Sequence, residues 1–212
     1  PFCTRLFADP VPDNARGYLV GLLMLAVPTY LWCAHSAWTA YQPSWLYLIG
    51  LTALASWFPV QVFSLKDRLW ITLSDVFVFA ALFQFGPEVA VVMASVGSIS
   101  ALLRVRPKRS YRWLFNLAQP VISTFLIGHL YSFLRGLSLP WNTEGAGFTL
   151  HLMAIIVGCG LIYFTIASGM TTMAISMSRQ HSFRVVFRKN FLWFVPSAVG
   201  ASVAGLLYLL AG

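Results

Sequence analysis

Charge is what this chain has least of. Asp, Glu, Lys and Arg make up 9% of its 212 residues, against 58% hydrophobic residues and a mean hydropathy of +0.75. Soluble domains carry nearer a quarter charged residues, so this scarcity excludes an ordinary soluble core and leaves an integral membrane protein. Acidic residues are scarcer than basic ones, 6 against 14. In a soluble chain that excess would suggest nucleic acid as partner; in a membrane protein it collects in cytoplasmic loops, so its placement decides. Cysteine is also sparse. Cys3, Cys33 and Cys159 are odd in number and scattered, which excludes a disulfide framework and a metal motif and leaves packing roles. The sequence lacks HExxH, CxxCH, nucleophile-elbow and phosphate-loop patterns, so neither catalysis nor a cofactor is expected. The opening PFCTRLF has no initiator Met and is not a signal peptide, since no basic region leads into an apolar core.

What is present is apolar length. A helix crossing about 30 Å of hydrocarbon needs about 20 residues. Candidate spans are 17–38, 44–63, 70–85, 88–103, 112–135, 148–177 and 190–210. The third and fourth have 16 residues each, and they are joined by Gly86-Pro87-Glu88. As one helix the stretch would run about 50 Å, far too long for a single crossing. Gly ends helices and Pro suits the first turn of the next, so 70–103 is expected to be a short helical hairpin. The fold class is therefore all-α, a polytopic membrane bundle of about seven transmembrane helices.

Charge placement supports that count. With a cytoplasmic amino terminus, 13 of the 14 basic residues fall in or beside the inside segments 1–16, 64–69, 104–111 and 178–189, and only Arg135 lies outside. Omitting the break at 86–88 would destroy this asymmetry. The expected organisation is a cytoplasmic segment 1–16 and a single transmembrane domain 17–212, multi-pass in the inner (plasma) membrane. Nucleic acid is not an expected partner; membrane lipids are. Arg104, Arg106, Lys108, Arg109, Arg184, Arg188 and Lys189 are the expected contacts with anionic head groups.

The few polar residues inside apolar runs are the candidate site. Two readings stand for Asp75. With Ser74 it caps the early N–H groups of its helix, with Lys66 and Arg68 near enough to pair; or it contacts a ligand or ion, since intramembrane carboxylates are costly. Asn116 and Gln119 share a helix face just before Pro120, and either bond neighbouring helices or line a small-molecule pocket with Asp75. The three expected ligand-binding residues are thus Asp75, Asn116 and Gln119. His35, His129 and His151 all fall near the outer boundary, where they are either separate interfacial residues or a converging metal, haem or proton site. Small residues in GLTALAS (50–56), VGCG (157–160) and VGASVAG (199–205) allow close helix contact.

LSDVFVFAALFQFGPEVAVVMASVGS, RWLFNLAQPVIS and FLWFVPSAVGASVAGLLYLL, read together, carry a likeness over roughly 44–210. The chain resembles the multi-helix membrane input region found ahead of HD-GYP, GGDEF or histidine-kinase output domains in bacteria, notably Acidobacteria. Its first segment is also similar to the corresponding hairpin of vitamin-uptake S-components of energy-coupling-factor transporters. The sensor resemblance implies a non-catalytic sensing or anchoring module, with a further helix and an output domain following, so this chain is expected to stop one helix early. The S-component resemblance implies a transporter subunit. It places the loop after the hairpin outside, whereas RVRPKRSYR is the most basic segment present and belongs inside. A third reading is an accessory subunit of a larger membrane complex.

Overall fold

The computed structural model describes residues 13–39, 42–43, 45–58, 60–63, 68–71, 74–105, 110–136, 146–179 and 182–188, with backbone alone described at 14, 60–63, 68–71, 110, 146–152 and 179. The elements are α1 (Asp13–Thr39), α2 (Trp45–Trp57), strands β1 (Val60–Phe63) and β2 (Arg68–Ile71), α3 (Ser74–Phe85), α4 (Pro87–Val105), α5 (Ser110–Gly136) and α6 (Ala146–Arg179), followed by a short helical stretch at 183–188. Four helices are long and apolar enough to cross a membrane, namely α1, α4, α5 and α6, while α2 and α3 are shorter apolar helices. The expected span 190–210 lies outside the described residues.

The helical class holds, with one non-helical addition that corrects two expected spans. The helix expected over 44–63 stops at Trp57, and the helix expected from 70 begins at Ser74. Between them β1 and β2 pair antiparallel, with Val60 opposite Ile71 and Phe63 opposite Arg68. Pro59 disfavours helix in the residue before it, and Val-Gln-Val-Phe alternates β-branched and aromatic residues with a polar one. A search for apolar length does not separate such a strand from a helix end.

The break at Gly86 is real. This residue has φ +97°, a left-handed conformation that glycine adopts without steric cost, and Pro87 starts α4 immediately after it. The Gly86 amide donates to the Leu82 carbonyl at 3.2 Å, and the Gly86 carbonyl accepts from the Ala90 amide at 3.2 Å. A Cβ on Gly97 would lie 3.5 Å from the Cβ of Ser74, so the middle of α4 comes back to the start of α3. The pair is an antiparallel hairpin.

The hairpin is wedged between its neighbours by small residues. The same Cβ on Gly97 would come 3.0 Å from Ser56 Oγ and 3.1 Å from Thr52 Cγ2, which seats α2 directly on α4. Ser100 Oγ donates to the Ala53 carbonyl at 2.7 Å across that contact. On the other side Gly128 of α5 meets the turn itself: a Cβ there would stand 2.5 Å from Pro87 Cβ. Two apolar clusters fill the interior. One holds Leu48, Phe79, Leu82, Met93, Ile127 and Ile156; the other holds Leu22, Cys33, Val91 and Val121. Helix α4 feeds both, through Met93 and Val91. Outward faces carry large apolar side chains such as Met24, Leu25, Leu31 and Phe133, as a lipid-facing surface requires.

Gly128→Ala should therefore cost far more than Gly158→Ala, where a Cβ meets nothing within 4 Å. Overpacking of this kind costs about 1–3 kcal/mol. Thermal unfolding of the purified protein in one detergent checks the order, and equal melting temperatures would contradict the wedge.

Candidate functional site

The polar residues of the interior are not scattered. Asp75 sits in the first turn of α3, and Phe79, one turn further on the same face, meets the ring of Tyr163 edge-on at 5.3 Å. That contact sets Tyr163 of α6 against the α3 face that starts at Asp75, on the side of the bundle where α5 carries Ser123 and Thr124. Among the described residues the buried Thr124 Oγ1 has no hydrogen-bond partner. Ser123 is fully buried. Its hydroxyl donates to the Gln119 carbonyl at 2.9 Å, and it accepts from Gln119 Nε2 at 3.3 Å. Asp75, Tyr163, Ser123 and Gln119 thus form a polar seam across α3, α6 and α5.

Gln119 and Ser123 belong to a longer pattern. Arg112, Asn116, Gln119 and Ser123 stand at i, i+4, i+7 and i+11 of α5, which at 3.6 residues per turn is one stripe along one helix face. The stripe descends from the buried seam to the Asp13 end of the bundle. There it opens on a cavity of about 280 Å³ between α1, α5 and α6, with Asn116 and Arg112 on its wall. Across this junction the Tyr18 hydroxyl of α1 donates to the Met170 carbonyl of α6 at 3.2 Å.

Of the three expected ligand residues, Asp75 and Gln119 reach the seam, whereas Asn116 is exposed and lines the cavity beyond it. Pairing of Asp75 with Lys66 or Arg68 concerns side chains outside the described residues. Tyr163, Ser123 and Arg112 have equal claims to the site and were passed over in reading the sequence. The usable signal was the stripe period on α5; nothing local marks Tyr163, which α6 delivers only through packing.

The histidines stand apart from this arrangement. His129 is exposed, with Nδ1 3.0 Å from the carbonyl of Phe125 in its own helix. Its ring lies 4.2 Å from that of Phe125 and 6.1 Å from that of Trp32. His35 is exposed on α1, and the side chain of His151 is outside the described residues. Among the described residues no group of three or more His, Cys, Asp or Glu could hold a metal ion. Arg104, Arg184 and Arg188 are exposed, as head-group contacts would need, while Arg106, Lys108, Arg109 and Lys189 are outside the described residues.

Comparison with known families gives one result. The MASE9 family model matches residues 42–211, most of the chain. The chain belongs to the MASE9 family. MASE9 is a membrane-associated sensory domain family, so the bundle is a membrane sensory region. The matched span begins after α1, so α1 stands in front of the MASE9 region and still supplies one wall of the cavity. No curated protein and no solved structure matches the chain.

Tyr163→Phe removes the hydroxyl that α6 presents to the seam. Interhelical polar contacts in membranes average about 0.6 kcal/mol and reach about 1.7 kcal/mol. A loss in that range is expected in an unfolding titration, while Asn116→Ala, at an exposed position, should leave the midpoint unchanged. The reverse order would show that the seam is not where the polar groups are paired.

Proposed function

We propose that this MASE9 region is the input module of a bacterial signalling protein, non-catalytic in itself, embedded in the inner membrane with a cytoplasmic amino terminus and seven spans. Its partners are membrane lipids, a small-molecule ligand and an output domain or separate protein that reads its state. The observation that carries this reading is the polar seam ending on α6. With 34 residues, α6 runs about 51 Å, longer than the hydrocarbon is thick. It packs along α5, touches α1 more lightly, and leads through its last turn to the basic stretch 183–188. A helix held by a few polar contacts in the core and packed mainly on one neighbour can take two positions. A ligand that binds one position better shifts the balance between them.

Fusing residues 1–212 to a diguanylate cyclase output domain makes that shift measurable. Asp75→Asn and Tyr163→Phe should change cyclase activity by roughly two- to thirtyfold at equal membrane levels, corresponding to a coupling of about 0.5–2 kcal/mol. Identical activity in every variant would sink the relay through α6.

Orientation has its own check. Single cysteines at positions 108 and 184, in an otherwise cysteine-free chain, should resist a membrane-impermeant maleimide applied to intact cells. Prompt labelling at either position would invert the topology and favour the transporter-type arrangement.

A further inference from the structure

The cavity at the Asp13 end has a chemistry of its own. Its floor is apolar, made by Leu19, Phe115 and Ile175, and its wall carries the Arg112 guanidinium and the Asn116 amide. Among the described residues the one ion pair is Arg16–Asp13 at 4.0 Å, so Arg112 has no carboxylate partner there. Three of the hydroxyls on the same wall are already committed as donors. Tyr18 donates to the Met170 carbonyl, Thr171 to the Ala167 carbonyl at 2.9 Å, and Ser178 to the Ile175 carbonyl at 3.1 Å. What a guest meets is the exposed Arg112 cation, the Asn116 amide and an apolar floor. The first turns of α1 and α5 also point their positive ends toward this side of the bundle. At about 280 Å³ the space is near the lower limit of small-molecule pockets, enough for a head group and the first carbons of a chain.

We infer that this cavity binds the anionic head of an amphiphile, a carboxylate or phosphate ester on Arg112 and Asn116, with its chain leaving across Leu19 and Phe115 toward the lipid. Two sources offer that chemistry: a free fatty acid, or an anionic phospholipid of the surrounding leaflet. The guest would sit where α1, α5 and α6 meet, at the open end of the stripe that leads to Gln119 and Ser123. The assignment rests on the cavity alone and does not depend on the sensory reading.

The test is photolabelling of the full chain in phosphatidylcholine nanodiscs, with labelled peptides mapped by mass spectrometry. The probes are a diazirine-bearing palmitate, a diazirine-bearing phosphatidylglycerol and a diazirine-bearing phosphatidylcholine. Palmitate or phosphatidylglycerol should label the segments 111–116 and 171–178, and whichever labels more strongly identifies the source. Arg112→Gln should reduce that labelling about tenfold, the size expected for losing one charge-assisted contact, and Arg112→Lys should restore most of it. Arg112 is exposed, so both variants should fold, and unchanged melting temperatures verify this. Equal labelling by phosphatidylcholine, or labelling indifferent to Arg112→Gln, overturns the site. Labelling is read without any output domain, so a failed relay through α6 and a failed binding site give different results.

Discussion

Hydrocarbon supplies no hydrogen-bond partner, and most of this architecture follows from that. A hydroxyl in a membrane helix gains most by finding an acceptor within the protein, although among the described residues the buried Ser56, Thr124 and Thr172 hydroxyls have no hydrogen-bond partner. The nearest acceptor is the carbonyl one turn back. Thr29, Thr52, Ser95, Ser98, Thr165 and Thr171 all take it, donating to residue i−4 at 2.6–2.9 Å. These side chains are thereby made quiet, and their helices pack as though apolar. The groups that cannot close on themselves in this way, the Asp75 carboxyl, the Tyr163 phenol and the Gln119 amide, are brought to one place.

Close packing does the remaining work, and it depends on two glycines at different heights. Gly97 lets α2, α3 and α4 converge, and Gly128 lets α5 rest on the hairpin turn. Without a hydrophobic drive between helices in lipid, such contacts hold the bundle through dispersion and shape. They also distribute rigidity. Helices α1 to α5 pack around α4 and one another, whereas α6 packs along α5 and meets α1 at the Tyr18–Met170 hydrogen bond. A bundle whose last described helix packs mainly on one neighbour is suited to reporting on what enters where α1, α5 and α6 meet.

Much of this could be read from the residues, for physical reasons that also explain the failures. The Gly86-Pro87 turn was legible because two backbone preferences agree with a length constraint. The long helices α1, α5 and α6 were legible because apolar length is a strong signal, whereas α4, expected as a 16-residue half of the hairpin, runs 19 residues and is long enough to cross. The ribbon was not: Val60–Phe63 is as apolar as a helix end, and only Pro59 argues otherwise. Asp75 and Gln119 were legible as costly residues in lipid. Tyr163 was not, because a tyrosine is unremarkable in composition and its role comes from the packing of α6 against Phe79. Arg112 was read as one more inside charge, and its place on a cavity wall depends on α1 and α6 arriving beside it.

The two short helices have a further consequence for the membrane itself. At 1.5 Å per residue, α2 and α3 reach only about 20 and 18 Å, roughly 10 Å less than the hydrocarbon they stand in. What joins them is a two-stranded ribbon whose inner edges pair with each other and whose outer edges leave backbone N–H and C=O groups without a strand partner. Bare lipid tails cannot surround such edges. Such edges belong at the level of head groups and water, so the ribbon is expected to mark the interface end of α2 and α3. The Asp75 carboxylate, second residue of α3, stands at the end of the helix nearest this ribbon rather than at the middle of an apolar run.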